Sequence, residues 1–272
     1  MTSTTAPIDK PRKQRPVGKA VPVRKRHDKI RQIVQTQRFV TIETLAKACT
    51  VTPQTIRRDI HTLSRKGWLT RYHGGVAAST STENVAYTQR KVLCFREKQK
   101  IAHLLARHIP DNASLFINIG TTTEAIAHAL GNHKHLRVIT NNLNVASIMS
   151  TNENFEVIVA GGLVRHRDQG IIGEATIDFI SQFKVDYGII GISGIDADGT
   201  LLDFDYREVR AARAIIDNAR RIFLAADHTK FGRNAMVRLG SIAEVDGLFT
   251  DRRPPVGLAE IIATAEVELH VA

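Results

Sequence analysis

The sequence is poor in several features, and each shortage excludes a class of protein. Only two cysteines, Cys49 and Cys94, occur in 272 residues, and neither lies in a cluster with metal-ligand spacing, so a disulfide scaffold is excluded and no metal or cofactor is expected. No apolar run approaches the roughly 18 residues that a membrane span requires. The N-terminus is polar and basic, unlike a secretory signal. These shortages predict a cytoplasmic protein with no membrane partner.

Positive charge is abundant, and it is concentrated at one end. The net charge is +11, yet residues 1–77 hold 17 Lys and Arg against 4 Asp and Glu, whereas residues 78–272 hold 21 against 23. This asymmetry favours a polyanion-binding module joined to a nearly neutral domain. A solubilising basic tail is the alternative, because charge carries no information about fold.

The first 26 residues are basic, contain four prolines and have almost no apolar side chains, which predicts a disordered tail. Such a tail either adds non-specific attraction to phosphates or is an inert extension. Order is expected to begin near Arg26, where apolar residues start to recur at helical spacing.

Residues 27–77 have the pattern of a small helical domain. The apolar stripe that starts at Ile30 predicts a first helix. Thr41 and Thr52 each offer a side-chain oxygen to cap a further helix, and Pro53 suits the first helical position of the third. After Gly67, a short strand and a tight turn predict a small wing.

The third helix has the residue distribution of a DNA-recognition helix. Ile56, Ile60 and Leu63 form an apolar inner face, which leaves Gln and Arg on the outer face, where they pair with base edges or hold phosphates. The alternative is a helical bundle with a solvated basic face. The predicted DNA-binding residues are Thr52, Gln54, Thr55, Arg57, Arg58, His61, Arg71 and His73.

A polar linker at 78–95 precedes a domain at 96–272 in which apolar runs alternate with helical patterns. Strands are predicted at 114–119, 137–140, 155–160, 185–192, 221–226 and 247–250, and helices at 97–108, 123–130, 175–183 and 208–218. This alternation predicts an α/β fold with a mostly parallel sheet that is covered on both faces.

Polar loops follow the predicted strands, at the end of the sheet where such folds bind ligands. Gly120 and the three threonines after it open a helix, and N–H groups, hydroxyls and a helix N-terminus together make an anion site. Plain helix capping is the alternative for this loop. Lys230 follows a later strand and would supply a counter-charge. The predicted effector-binding residues in these loops are Gly120, Thr121, Thr122, Thr123, Asn141, Asn142, Gly161, Gly162 and Lys230.

These motifs carry a resemblance to a known family. TPQTIRRDI at 52–60 and RYHGGVA at 71–77 resemble the helix-turn-helix of the DeoR family of bacterial regulators, and IGTTTE, TNNLNVAS, IIGEAT, LLDFDYREVR and DHTKFGRNAMV follow in the family's order. The resemblance implies a winged helix-turn-helix joined to a sensor domain similar to ribose-5-phosphate isomerase and coenzyme A transferases. It also implies a repressor that binds operator DNA and is released by a small phosphorylated effector.

The similarity is strongest to the branch of the family that regulates glycerol metabolism, which implies sn-glycerol 3-phosphate as the effector. Asp203, Asp205 and Glu208 lie in the segment that marks this branch. Asp205 is a candidate ligand, and a helix-capping role is the alternative. Because one helix-turn-helix covers only a few base pairs, a homodimer or homotetramer held by the sensor domain is expected. The basic N-terminal extension departs from the family's pattern and leaves the operator footprint open.

Two other functions compete with this interpretation. A sugar-phosphate isomerase with a basic accessory domain needs a general base beside the substrate, and the Gly-Lys-Gly-Gly loop of the isomerase family has no counterpart in Ala160–Arg165. A non-specific nucleoid protein would not explain the polar loops. The sequence therefore predicts a transcriptional repressor rather than an enzyme.

Overall fold

The computed structural model describes residues 22–37, 39–65, 68–72, 75–78 and 86–272. The predicted disordered tail lies outside these ranges up to residue 21, and the part of it from Val23 to Arg26 forms the first turn of a helix. His73 and Gly74 of the predicted wing turn also lie outside the described residues. Within these ranges, no helix is both long and apolar enough to cross a membrane.

The N-terminal domain is built around a three-helix core. Its elements are α1 (Val23–Gln37), β1 (Phe39–Thr41), α2 (Ile42–Cys49), α3 (Pro53–Arg65), β2 (Leu69–Tyr72) and β3 (Gly75–Ala78). Both predicted caps are present, since Thr41 Oγ1 accepts from Thr44 N at 3.1 Å and Thr52 Oγ1 from Thr55 N at 3.2 Å. β3 pairs antiparallel with β1 and β2. The wing therefore has a third strand, β1, which is too short to show periodicity in the sequence.

The C-terminal domain follows a short helix, α4 (Tyr87–Val92), that lies within the predicted linker. Its first half contains α5 (Phe95–Ala106), β4 (Ser114–Ile117), α6 (Thr121–Ala129), β5 (Arg137–Thr140), α7 (Leu143–Met149), β6 (Glu156–Val159), β7 (Leu163–Val164) and β8 (Ile171–Ile172). The second half contains α8 (Glu174–Ile180), β9 (Val185–Gly191), β10 (Gly194–Ile195), β11 (Thr200–Asp203), α9 (Tyr206–Asp217), β12 (Ala219–Ala225), β13 (Val237–Ser241), β14 (Gly247–Thr250), α10 (Val256–Thr264) and β15 (Glu268–Val271), with 3₁₀ turns at His228–Lys230 and Ile242–Glu244.

The predicted parallel sheet is confirmed. Seven strands pair in the order β15-β14-β12-β9-β4-β5-β6, and every pairing in this sheet is parallel. One hydrophobic core lies under α5, α6 and α7, and the other lies under α9 and α10. Burial on both faces explains why the strands appear in the sequence as continuous apolar runs. A three-stranded antiparallel sheet, β10-β11-β13, and the β7-β8 ribbon complete the domain.

Candidate operator-binding and effector sites

The outer face of α3 presents polar and basic side chains to solvent. Gln54, Arg57, Arg58 and His61 are exposed, and Thr55 is half-buried. The opposite face is buried in the domain core through Ile56, Ile60 and Leu63, each at most 2% exposed. Thr52 and Arg71 are also exposed. The structure thus brings the described residues of the predicted DNA-binding set to the surface, whereas His73 lies outside the described ranges.

A buried ion pair fixes α3 against α1. Arg26 Nε and Nη2 donate to the two carboxylate oxygens of Asp59 at 2.6 and 3.0 Å, and His27 Nε2 lies 3.0 Å from the same carboxylate. Arg26 and Asp59 are 7% and 5% exposed. A bidentate pair of this kind sets orientation as well as distance, so the first turn of α1 holds the middle of the candidate recognition helix.

A cleft lies at the carboxyl ends of β4 and β9, the two neighbouring strands at the centre of the sheet. The chain runs from β4 to β5 and β6 on one side, and from β9 to β12 and β14 on the other. This is the topological switch point at which parallel sheets bind ligands. The loops 119–122 and 191–193 form part of the cleft wall, together with four ionisable residues, Arg90, Asp203, Glu208 and Lys230.

The loop after β4, Gly120–Thr123, is the predicted anion loop. Gly120 precedes α6 with φ of 154°, and Thr121 and Thr122 line the cleft. The first N–H groups of a helix have no acceptor within the helix. Thr123 has a different part: it is fully buried, and its hydroxyl donates to the carbonyl oxygens of Gly120 and Asn118, both at 2.7 Å. Thr123 therefore shapes the loop that its two neighbours present.

Burial perturbs the ionisable groups of the cleft. It lowers the pKa of Lys230 to about 7, against the attraction of Asp227. It raises the pKa of Glu208 to about 7, and the nearby charge of Asp203 raises this pKa further. The buried Nε of Arg90 has no hydrogen-bond partner among the described residues. An orphaned buried donor and perturbed titratable groups in one cleft indicate a functional site.

The short helix α4 is docked onto the wall of the cleft. Tyr87 Oη donates to the Glu124 carboxylate at 2.9 Å, and Arg90 Nη2 lies 3.3 Å from Asp168 Oδ2. The backbone carbonyl of Arg90 accepts from Lys98 Nζ and, at 3.4 Å, from Thr121 Oγ1. The anion loop and α4 are thus directly hydrogen-bonded to each other.

Several predicted effector residues do not line the cleft. Asn141 Nδ2 donates to Ile171 O at 3.1 Å, and Asn142 caps α7 through its side chain; both are buried. Gly161 O accepts from Thr176 Oγ1 at 2.8 Å. At Gly162, φ is 145° and a Cβ would lie 2.2 Å from Thr176 Oγ1, so this position excludes a side chain.

Asp205, for which the sequence allowed a ligand or a capping role, is the N-cap of α9. Its Oδ1 accepts from Arg207 N at 3.0 Å at the start of α9, and its Oδ2 pairs with Arg165 and Arg167 at 3.0 and 3.2 Å. Its neighbours Asp203 and Glu208 line the cleft instead.

Sequence reasoning missed Arg90 altogether because this residue lies in the segment assigned to the linker. A six-residue helix gives too little periodicity to be recognised. Asp203 and Glu208 lie in the segment that marks the glycerol branch, but spacing alone does not show which carboxylates of this segment face the cleft. Among the described residues, no group of three or more His, Cys, Asp or Glu side chains could bind a metal ion.

Two family models and several known proteins match this chain. Residues 26–82 match the DeoR-like helix-turn-helix domain, and residues 94–252 match the DeoR C terminal sensor domain. The glycerol-3-phosphate regulon repressor of Escherichia coli (strain K12) is 51% identical over 90% of the chain and 98% of its own length. The glycerol-3-phosphate regulon repressor of Haemophilus influenzae is 51% identical over 84% of the chain and 89% of its own length.

A solved structure of ribose 5 phosphate isomerase A from Neisseria gonorrhoeae overlaps 54% of the chain and 56% of its own, with 13% sequence identity and a TM-score of 0.37. A similarity this low carries no information about function.

Proposed function

Because this chain belongs to the DeoR family of transcriptional regulators, we propose that it is a cytoplasmic repressor of glycerol and glycerol 3-phosphate metabolism genes. A phosphorylated effector, sn-glycerol 3-phosphate, releases it from its operator. In this proposal residues 27–77 bind DNA and residues 96–272 sense the effector. The observation that carries it is an exposed recognition helix in the same chain as a switch-point cleft that holds an anion loop and Lys230.

Operator binding is assigned to the outer face of α3. Gln54 lies in the first turn, which enters the major groove in this class of domain, and a Gln side chain pairs with an adenine edge. We expect Gln54→Ala to lower operator affinity by about tenfold and to change the preferred base at one position. Electrophoretic mobility shift on operators with single base changes tests this. Unchanged affinity for operator and for random DNA would place the recognition helix elsewhere.

The effector site is assigned to the cleft because its groups suit a phosphate dianion. The phosphoryl oxygens need several directed donors to replace their hydration, and the N–H groups and hydroxyls of Thr121 and Thr122 supply them. Lys230 adds a charge, and the orphaned Nε of Arg90 supplies a further donor. Residues Asn141, Asn142, Gly161, Gly162 and Asp205 then act by shaping the loops around the site.

Helix α4 couples the two functions. It is joined to β3 of the wing through residues 79–86, and it contributes Arg90 to the cleft. A bound phosphate competes with the Arg90 carbonyl for the Thr121 hydroxyl, and with Asp168 for the Arg90 guanidinium. Effector binding therefore changes the contacts that hold α4 against the cleft wall. A change in the position of α4 then changes the placement of the DNA-binding domain.

The coupling must be reciprocal, because an effector weakens DNA binding only by the factor by which it prefers the released state. Isothermal titration of the chain with sn-glycerol 3-phosphate, with and without operator DNA, tests this. Operator DNA should weaken effector binding by the same factor by which effector weakens operator binding. Equal effector affinity in both titrations would overturn the proposed release.

The repressor acts as a homodimer or homotetramer. Two-fold symmetry places two recognition helices about one turn of DNA apart, or a multiple of it, on a palindromic operator. Light scattering on the full chain at micromolar concentration should give two or four times the monomer mass. A monomer bound to a single half-site would contradict this.

An enzymatic function is not favoured. The relatives that match over most of the chain are named as repressors, and a DNA-binding domain has no evident use in a soluble isomerase. A direct assay of aldose–ketose phosphate interconversion should show no turnover beyond the buffer control.

A further inference from the structure

Two buried carboxylates stand in a cleft whose other ionisable groups suit an anion. Asp203, at the end of β11, is 7% exposed, and Glu208, in the first turn of α9, has a side chain that is 13% exposed. Both line the cleft with the anion loop. Carboxylates placed near a phosphate repel it, so a site built only for phosphate would not contain them.

The surrounding contacts orient both carboxylates. Asp203 Oδ1 accepts from Ser193 Oγ at 3.0 Å and from Phe204 N at 2.7 Å. Glu208 Oε2 lies 2.8 Å from Arg165 Nη2, and the described residues provide no hydrogen-bond donor for Glu208 Oε1. A held carboxylate with an oxygen left to accept is suited to a neutral donor, and an alcohol hydroxyl is such a donor.

We propose that Asp203 and Glu208 determine effector specificity by accepting hydrogen bonds from the free hydroxyls of a polyol phosphate. This inference rests on the proposed function and names the chemical class that the cleft selects. The carbonyl oxygen of a keto phosphate is only a hydrogen-bond acceptor, so it cannot donate to a carboxylate and is repelled by the lone pairs of that carboxylate. A ligand carboxylate brings a second negative charge. The cleft therefore favours a phosphorylated alcohol over the matching keto or acid phosphate of the same size.

Asp205 provides the contrast within the same segment. Its oxygens are occupied by Arg165, Arg167 and the backbone of Arg207, and it does not line the cleft. The alternative for Asp203 and Glu208 is a comparable structural part, in which they only neutralise Arg90 and Arg165. In that case their removal would alter the affinity of every phosphate ligand in parallel.

The test is isothermal titration of the full chain with four probes: sn-glycerol 3-phosphate, dihydroxyacetone phosphate, 3-phosphoglycerate and inorganic phosphate. Wild type should bind the polyol phosphate about tenfold or more tightly than either three-carbon analogue, because one hydrogen bond to a charged group accounts for about that factor. Glu208→Gln should weaken the polyol phosphate about tenfold. It should strengthen 3-phosphoglycerate, since the amide removes a negative charge and adds a donor.

Asp203→Asn serves as the second variant, because an amide oxygen still accepts from Ser193 and Phe204 N. Glu174→Gln is the matched control: this carboxylate is 70% exposed and pairs with Arg210 of α9. Unchanged thermal melting and unchanged operator binding without effector establish that each variant is folded. The control should leave all four affinities unaltered.

Opposite changes for polyol phosphate and 3-phosphoglycerate support the inference. Parallel changes for all probes, or equal binding of all three organic phosphates by wild type, overturn it and leave the proposed phosphate sensor standing. If wild type binds none of the four probes, the proposed function fails together with the inference.

Discussion

The two domains of this protein use charge in opposite ways. In the N-terminal domain, the basic residues of α3 lie on the surface, and Arg57, Arg58 and His61 are all exposed. In the C-terminal domain, a set of charged residues is withdrawn from water: Lys98, Asp203 and Asp227 are each at most 7% exposed. Surface charge attracts a large polyanion through solvent, whereas buried charge is suited to selecting a small ligand by individual contacts.

If the proposed effector site is correct, the net charge of a domain is a poor guide to where a small anion binds. Residues 78–272 have slightly more acidic than basic residues, yet the cleft of this part holds Arg90 and Lys230 beside an anion loop. Basic residues dominate the N-terminal part. Among its described residues, Arg26 and Asp59 form the one ion pair in which both partners are buried. This pair holds α1 against α3. Each domain can therefore be disabled separately.

The largest effect is expected at that pair. Asp59→Ala removes the carboxylate that accepts two hydrogen bonds from Arg26 in the domain interior, and breaking a buried pair in this way costs about 3 kcal/mol. The N-terminal domain should lose that much unfolding free energy, and operator affinity should fall more than about a hundredfold. Binding of sn-glycerol 3-phosphate should be unchanged, because the C-terminal domain has its own cores.

Urea unfolding, mobility shift and calorimetry measure these three quantities. Asp28→Ala is the matched control, since Asp28 is an exposed carboxylate on the same helix α1. Equal stability of the two variants would show that the buried pair contributes nothing.

The converse variants act on the cleft. Lys230→Ala removes a charge from the proposed effector site and Thr122→Ala removes a hydroxyl from it, while neither changes α3. Operator affinity without effector should be retained. Release by sn-glycerol 3-phosphate should need about a hundredfold more ligand for Lys230→Ala and about tenfold more for Thr122→Ala, in line with hydrogen bonds to a charged group.

Mobility shift across an effector series gives both values. Lys184→Ala, which removes an exposed lysine of the same domain, should respond like wild type. If Lys230→Ala and Thr122→Ala release DNA at the wild-type concentration, the effector binds elsewhere and the Gly120–Thr123 loop only begins a helix.

The same division between surface and interior explains how much could be predicted from the sequence. The apolar face of α3 and the apolar runs of β5 and β14 predict these elements well. A helix buried on one face has apolar residues at helical spacing, and a strand buried on both faces is a continuous apolar run. The cleft was predicted only in part. Gly120 to Thr122 and Lys230 lie in the loops that follow β4 and β12, so sheet topology brings them together. Arg90 reaches the cleft through a tertiary contact of α4.

The choice among Asp203, Asp205 and Glu208 depended on packing as well. Three carboxylates in six residues are equivalent in sequence, and only their tertiary contacts separate the two that line the cleft from Asp205. Arg165 lies between Asp205 and Glu208 and pairs with both. No local pattern encodes a contact between residues that lie about forty positions apart.

Effector affinity should fall with rising pH. Below pH 7 Lys230 is charged both free and bound, so its contribution is flat. Above its free pKa of about 7, binding a dianion requires uptake of a proton, and affinity falls by up to about tenfold per pH unit until the bound pKa is reached. Glu208, with a pKa raised to about 7, acts in the opposite direction and offsets part of this fall, because its ionised form is the stronger acceptor for the effector hydroxyl.

The charged groups near Lys230 are Asp227, Arg233, Lys98 and Arg90, together with Asp203 and Glu208 in the cleft. Calorimetry between pH 6.5 and 8.5 keeps the phosphate mostly dianionic, since its second pKa is about 6. We expect a loss of about tenfold over this range, and a shallower loss for Lys230→Ala. An affinity that does not vary with pH would contradict the buried position of these groups.

The smallest effect concerns the surface charges of α3. Arg58→Ala removes one expected phosphate contact, which should lower the slope of log affinity against log salt by about one unit. Between 50 and 200 mM salt this changes the affinity ratio only about threefold, similarly for operator and random DNA. Arg220→Ala is the control, since it removes the same charge from an exposed position, 66% accessible, in the C-terminal domain. If placement governs DNA binding, Arg220→Ala leaves the slope unchanged. Equal slopes for the two variants, both below wild type, would mean that total charge is what matters, and the contrast between the two domains would fail.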